Sequence, residues 1–163
     1  MKKTVLMCAL SLMVGVLAWA DQPSSFEVVM QHYEPIRLAL LADSMEGVSN
    51  NGAEIAEELR HLQAEFTDQR AGASGETAKI VREHLSAMIA AADAMAKAKS
   101  LEPARSAFYD LSKALVRWRE GVVAEIRPSV AYCSMYKRSW LQPGMEIGNP
   151  YGGMPGCGRI VSE

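Results

Sequence analysis

Apolar residues recur every three or four positions through most of the chain, and this spacing constrains the fold more than any other feature. It is clearest after Ser100 and Glu102-Pro103, a combination typical of a helix start. The residues that share one face of this segment are Ala104, Phe108, Leu111, Leu115, Trp118 and Val122. An apolar stripe of this kind has to pack against other elements, so the segment predicts one helix of a larger helical core.

The same spacing predicts two helices before the break "RAGASG" at residues 70–75. The first begins near Ser24 or Ser25 and contains Pro35, which predicts a kink or a short entry turn. The second covers roughly residues 51–66, and "SNNG" before Ala53 suits a loop as well as a first turn.

A third helix is predicted from about residue 76 to residue 99, and the proline of "IRP" at residues 126–128 should end the fourth. Short connections between helices of similar length favour antiparallel neighbours. The sequence therefore predicts an all-α fold, an up-and-down four-helix bundle over residues 21–128. An irregular Gly/Pro-rich segment over residues 129–163, called the tail below, is expected to pack on the bundle within the same domain.

The first 20 residues have the layout of a secretory signal peptide. Lys2 and Lys3 precede an uncharged apolar run, and Ala18-Trp19-Ala20 is a small-x-small cleavage site. No second apolar run of spanning length follows in the sequence. We therefore expect removal of residues 1–20 and an exported, periplasmic protein without a membrane span.

Charge and motif content argue against several functions. The net charge of the whole chain is −2, and its acidic and basic residues are interspersed without a basic block. This pattern argues against binding to nucleic acid or to an anionic membrane surface. The sequence has no Gly-rich phosphate loop, no alternation of strands and helices and no local nucleophile–histidine motif, so we expect a protein that is not an enzyme.

Polar and sulfur-bearing side chains within the predicted helices are interpreted as structural. Glu58, His61 and Glu65 share a helix face, which is typical of solvated charge. A dimetal bundle would need a second Glu-x-x-His pair, and His84 has Val81 at the matching position. The methionines at core-like helical positions, interpreted as packing residues, are Met30, Met45, Met88 and Met95.

The tail contains two cysteines that suit a disulfide. Cys133 and Cys157 are the pair that remains after signal cleavage, and an even pair in an oxidising compartment favours a disulfide. The bond would close a loop of about 25 residues and contribute about 3.5 kcal/mol in the chain-entropy model. Extended pieces at residues 130–133 and 159–161 are candidates to pair as a short β-ribbon.

The same cysteines also suit a soft-metal site. Met135 lies two residues after Cys133, and Met154 lies three residues before Cys157 across a Pro-Gly turn. Folding one Cys–Met pair over the other would bring two thiolates and two thioethers together. Such ligands select Cu(I) or Ag(I) rather than hard ions. The residues alone leave the disulfide and the metal site as open alternatives.

The order of the tail motifs resembles the signature of an uncharacterised bacterial domain family. The motifs are Cys133-x-Met135, Trp140-Leu141, Asn149-Pro150-Tyr151 and Met154-x-x-Cys157-Gly158. Two helical segments resemble the same family, "LALLAD" at residues 38–43 and "ARSAFYDLSKALVRW" at residues 104–118. That family occurs as small exported proteins and is also fused to periplasmic adaptor subunits of copper/silver efflux systems. The resemblance implies a helical domain with a Cys/Met tail in a heavy-metal-resistance setting, although Ser134 and Pro155 depart from the family pattern.

The first functional hypothesis is a periplasmic protein that binds Cu(I) or Ag(I) through sulfur ligands of the tail. It would sequester the ion or pass it to a periplasmic efflux adaptor subunit. The candidate ligands are Cys133, Met135, Met154 and Cys157, with Met145 as an additional candidate.

Two alternatives remain open. One is a disulfide-stapled helical interaction module of the cell envelope without metal. The residues expected to pack the tail are Trp140, Asn149, Pro150 and Tyr151. The other is a thiol redox protein that uses Cys133 and Cys157, but the sequence has neither a C-x-x-C motif nor a thioredoxin-like strand–helix frame.

Overall fold

The computed structural model describes residues 22–123 and 127–162, so the predicted signal peptide lies outside the described residues. This part of the chain is mostly helical, with a small antiparallel sheet after the helices. The helices are α1 (Ser25–Leu41), α2 (Val48–Ala64), α3 (Asp68–Ala71), α4 (Gly75–Lys97) and α5 (Leu101–Arg119). The strands are β1 (Ser129–Cys133), β2 (Arg138–Gln142) and β3 (Arg159–Ser162).

Helix α1 begins at a capping box. The Ser24 hydroxyl accepts a hydrogen bond from the Glu27 backbone N–H, and the Glu27 carboxylate accepts one from the Ser24 backbone N–H. These contacts satisfy two of the N–H groups that a helix start leaves without partners. The helix then continues through Pro35, which lies on its exposed face, so the residues before Pro35 are not a separate entry turn.

Helix α2 begins earlier than predicted, because "SNNG" forms part of its first turns. Gly52 faces α4, and a Cβ atom added there would lie 2.9 Å from the Ala96 backbone nitrogen. The missing side chain therefore lets the two helix backbones approach closely. Glycine has a low helix propensity, which is why this segment resembles a loop in the sequence.

Two further helix boundaries differ from the sequence prediction. The one-turn helix α3 overlaps the start of the break predicted at residues 70–75, and it is followed by Gly72 in the left-handed conformation. Helix α5 ends at Arg119, well before the proline that was expected to end it. A Cβ atom added at Gly121 would lie 2.6 Å from the Thr77 side chain, so the chain leaves the helix where it passes close to α4.

The packing of the helices follows their order in the chain. Helix α2 packs against both α1 and α4, and α4 packs against α5. Helix α5 also packs against β2 and so supports the sheet. The apolar face predicted for the fourth helical segment is confirmed, because all six of its residues are buried: Ala104, Phe108, Leu111, Leu115, Trp118 and Val122. None of the described helices is both long and apolar enough to cross a membrane.

The three strands form a sheet in the order β2-β1-β3, with both pairs antiparallel. The β1–β3 pair is the ribbon that the sequence predicted. Strand β2 was not predicted. Its residues Trp140, Leu141 and Gln142 are buried in succession, so it lacks the alternation by which a half-buried strand is recognised.

We expect Gly52→Ala to destabilise the protein, although alanine is the better helix former. The added methyl group would push α2 away from α4, and overpacking of this kind costs about 1–3 kcal/mol. The gain in helix propensity is only about 1 kcal/mol. Urea unfolding followed by circular dichroism measures the difference. Glu54→Ala, on the exposed face of the same helix, is the control and should stay within about 0.5 kcal/mol of the parent protein. A more stable Gly52→Ala protein would contradict the close contact between the helices.

Candidate functional site

A β-hairpin positions the first tail cysteine. In the register of β1 and β2, Cys133 lies opposite Arg138 beside the turn, and Ser129 lies opposite Gln142 at the other end. Lys137 belongs to the turn and has a positive φ of 54°. Cys133 therefore lies at the turn end of the central strand.

Cys133 forms a disulfide with Cys157, and the Cα atoms of the two residues are 5.6 Å apart. Cys133 is fully buried, whereas Cys157 is half-buried in the long loop (residues 143–158) that joins β2 to β3. The disulfide, one of the two alternatives that the sequence left open, is thus confirmed. In this state neither sulfur is a thiolate, the form in which cysteine binds a metal.

Two exposed methionines flank the disulfide. Met135 is 69% exposed in the hairpin turn, two residues after Cys133, and Met154 is 36% exposed. Met154 begins a turn in which its carbonyl accepts a hydrogen bond from the Cys157 N–H at 3.0 Å. The structure thus brings the two Cys–Met pairs of the sequence to one end of the hairpin.

Met145 lies at the other end of the hairpin. It is 57% exposed and belongs to the segment that surrounds the Gln142 side chain. Gln142 Nε2 donates to the Glu146 carbonyl at 2.7 Å, and Gln142 Oε1 accepts from the Gly148 N–H at 3.4 Å. The length of β2 separates this segment from the hairpin turn by about 13 Å. The structure therefore does not bring Met145 together with the two Cys–Met pairs.

Residues 149–151 hold the long loop in shape. The Asn149 N–H donates to the Pro155 carbonyl at 2.9 Å, and Asn149 Oδ1 accepts from the Tyr151 N–H at 2.9 Å. The Tyr151 hydroxyl donates to the Ser139 carbonyl of β2 at 2.8 Å. The residues expected to pack the tail are all buried: Trp140, Asn149, Pro150 and Tyr151.

Buried arginines attach the long loop to the helices. Arg37 of α1 donates to the Gly148 carbonyl at 2.8 Å, and Arg105 of α5 donates to the Pro150 carbonyl at 2.9 Å. These bonds satisfy carbonyls that have left water. Neither arginine was predicted from the sequence to contact the tail. An arginine on an otherwise apolar helix face is the signal that could have indicated them, because arginine is rarely buried without partners.

A groove of about 240 Å³ opens beside the disulfide. Its lining, by which we define the Cys157 groove, consists of Tyr132, Ser134, Cys157, Gly158 and Arg159. Cys157 is thus the half of the disulfide that reaches a surface cavity. The Arg159 guanidinium gives this cavity a positive charge.

Harder metal ligands do not gather in residues 22–123 and 127–162. No group of three or more His, Cys, Asp or Glu side chains in these ranges could hold a metal ion. The His61 side chain is exposed, with Glu57 at 3.7 Å, and Glu58 accepts a hydrogen bond from Ser25 instead. The helical histidine and carboxylates therefore offer no second candidate site.

The hydroxyl of Tyr33 connects α1 to the sheet and to α5. It accepts a hydrogen bond from the Leu141 N–H at 3.1 Å. It donates to Ser112 at 2.7 Å, because the Ser112 hydroxyl proton is given to the Phe108 carbonyl. Burial raises the pKa of Tyr33 well above its usual value near 10, and burial also raises the pKa of Tyr151.

The helical part of the chain matches a known family model. The match is to the family described as protein of unknown function (DUF3347), and it covers residues 29–124, more than half of the chain. The chain belongs to the DUF3347 family. The match stops before β1, so it supports the resemblance to an uncharacterised domain family through the helices and not through the tail motifs. No protein with a curated description and no solved structure matches the chain.

We expect reduction of the disulfide to lower the free energy of unfolding by about 3.5 kcal/mol, because the bond limits the freedom of the unfolded chain. Urea unfolding of the oxidised protein and of the protein in excess dithiol measures this loss. Cys133→Ala/Cys157→Ala, which lacks the bond in either condition, is the control and should unfold with the reduced protein. Equal midpoints for oxidised and reduced protein would contradict a stabilising role.

We also expect the protein to lose stability as the pH rises above about 10. The folded state holds the protons of Tyr33 and Tyr151 more tightly than the unfolded chain does, so unfolding releases protons in this range. The contribution is fully present below about pH 10 and declines by up to about 1.4 kcal/mol per pH unit for each tyrosine. Urea unfolding between about pH 9 and about pH 11 measures the slope. Tyr33→Phe should be less stable at the lower pH but lose less stability per unit, and an unchanged slope would contradict this account.

Proposed function

We propose that this protein is an exported, periplasmic protein that binds the soft ions Cu(I) or Ag(I) when its tail cysteines are reduced. The four long helices, arranged as an up-and-down bundle, would be the scaffold that holds the tail. The bound ion would be sequestered or passed to a heavy-metal efflux system through a periplasmic adaptor subunit. The proposed ligands are Cys133, Met135, Met154 and Cys157.

The contrast between helical and tail methionines carries this proposal. Met88 and Met95 are buried, and Met30 and Met45 pack against the core. The three tail methionines are instead among the few large apolar side chains that the described residues expose. Packing does not account for their position, whereas coordination of a soft ion needs accessible thioethers.

The position of the disulfide supports the same ligand set. Because Cys133 and Cys157 are bonded, Met135 and Met154 each lie within three residues of one common point. The reduced site would offer two thiolates and two thioethers, a combination that soft ions prefer and hard ions do not. Met145, beyond the other end of β2, is left out of the proposed set.

A Cu(I) titration of the reduced protein without oxygen, against a colorimetric Cu(I) chelator, tests the proposal. The reduced protein should withdraw one ion per chain. The oxidised protein should withdraw far less, because its cysteine sulfurs are bonded to each other. Cys133→Ala/Cys157→Ala should behave like the oxidised protein in either redox condition.

Leucine variants test the thioethers separately from the thiols. Met135→Leu/Met154→Leu should weaken Cu(I) binding about tenfold or more, a loss of about 1.4 kcal/mol. Met145→Leu removes the third exposed tail methionine and is the matched control, with binding unchanged. If the reduced parent protein leaves the chelator's copper in place, the soft-metal proposal fails. Unchanged binding by the double leucine variant would remove the thioethers from the ligand set.

The disulfide itself favours a second candidate, a stapled interaction module of the cell envelope. A staple needs no metal, and methionine is common on adaptable protein-binding surfaces, so Met135 and Met154 would then contact a partner protein. This candidate predicts no Cu(I) uptake in either redox state and no free thiol in the untreated protein. The titration of the reduced protein therefore separates the two candidates. Both are binding functions, and neither is an enzyme activity.

A further inference from the structure

We infer that the Cys133–Cys157 disulfide opens from one side. The attacking thiolate enters through the Cys157 groove and attacks the sulfur of Cys157. The inference rests on the proposed function, because it describes the step that converts the disulfide into two thiolate ligands. The thiolate belongs to a dithiol reductant, which supplies the two electrons of the reaction.

The two sulfurs of the disulfide differ in access. Cys133 lies at the end of the central strand and is fully buried, as is Ala131 on the same side of the strand. Cys157 is half-buried and lines the groove together with Tyr132 and Ser134. A thiolate has to reach the sulfur that it attacks, and exchange rates depend on this access. Cys157 is therefore the attacked residue, and Cys133 is the leaving group.

Arg159 gives the groove the charge that suits an anion. It is exposed, it lines the groove two residues after Cys157, and it lies opposite Tyr132 in the β1–β3 pair. None of the ion pairs within residues 22–123 and 127–162 involves it. A guanidinium beside the entry path attracts a thiolate, and it attracts a reductant that carries further negative charge more strongly.

The exchange is balanced in two steps. The attacking thiolate forms a bond to Cys157 Sγ, the bond between the two protein sulfurs breaks, and its electron pair leaves with Cys133 Sγ. The second thiolate of the reductant then attacks its own sulfur in the mixed disulfide and releases the Cys157 thiolate. The reductant is oxidised to a disulfide, and both protein sulfurs become available to a soft cation or to protons from water.

Mapping the mixed disulfide tests the direction of attack. Glutathione, a monothiol, traps the first step on the oxidised, folded protein, and N-ethylmaleimide stops the reaction at intervals before digestion and mass spectrometry. We expect molecules with glutathione on Cys157 and N-ethylmaleimide on Cys133 in about tenfold or greater excess over the reverse pattern. Equal amounts, or glutathione mainly on Cys133, would overturn the inference.

Two thiols of different charge test the role of Arg159. At equal thiolate concentration, Arg159→Gln should slow glutathione, whose thiolate form carries two net negative charges, about fivefold, and 2-mercaptoethanol, whose thiolate carries one, by less than about twofold. Lys137→Gln removes a positive charge from the hairpin turn outside the groove and is the matched control, with both rates nearly unchanged. Equal slowing by the two variants, or equal slowing of the two thiols, would overturn the assignment of the groove as the entry path.

These rates are measured without metal, so their outcome is independent of the Cu(I) titration. Exchange at Cys157 without Cu(I) uptake would retain the one-sided opening and reject the metal site. Cu(I) uptake after chemical reduction, with exchange at Cys133, would retain the metal site and reject the one-sided opening.

Discussion

Buried carbonyl groups of an irregular loop need hydrogen-bond donors, and the position of the long loop depends on donors that the helices supply. Arg37 of α1 and Arg105 of α5 donate to the carbonyls of Gly148 and Pro150. Both arginines are largely removed from water, where a guanidinium without partners would be costly. The helices therefore gain partners for their buried charges, and the loop gains donors for its carbonyls.

The family match covers the helices and ends before the tail, but it includes the helical residues that bond to the tail. The matched residues 29–124 include both arginines and Tyr33, whose hydroxyl accepts the Leu141 N–H of β2. These three hydrogen bonds from the helices end on backbone atoms of the tail, so they constrain its path whatever side chains it carries. The backbone that carries Met135, Met154 and Cys157 follows a path fixed in this way. The chemistry of these three side chains is therefore independent of the helical fold.

The sequence predicted the features that residue type and spacing alone indicate. The face of α5 from Ala104 to Trp118 follows a helical period, and the even number of cysteines outside the expected signal peptide indicates a disulfide. The predicted start of α2 was wrong because glycine, at position 52, has a low intrinsic helix propensity. Gly52 is instead required by the close approach of the α4 backbone, which the sequence does not show. Strand β2 could not be found because both of its faces are covered in the last three positions.

The residues of the candidate site could be predicted from the sequence, but their relative positions and their exposure could not. Spacing alone placed Met135 near Cys133 and Met154 near Cys157, since neighbours in sequence stay neighbours in space. The separation of Met145 depends on the length of β2 and on the bonds of Gln142, which no motif encodes. The burial of Cys133 and the exposure of Cys157 likewise depend on how β3 and the long loop cover the sheet, so access to the disulfide had to come from the structure.

Opening the disulfide removes one support of the long loop and leaves the others in place. The bonds from Asn149 to Pro155 and from Tyr151 to Ser139 involve neither cysteine, and the bond from Arg105 to Pro150 is equally independent of them. Cys157 would therefore remain close to Cys133 after reduction, because the loop that carries it is still attached to β2 and to α5. A ligand set whose members are already held near one another loses less conformational freedom when an ion binds. The same contacts that fix the disulfide in the oxidised protein would thus lower the cost of forming a metal site in the reduced one.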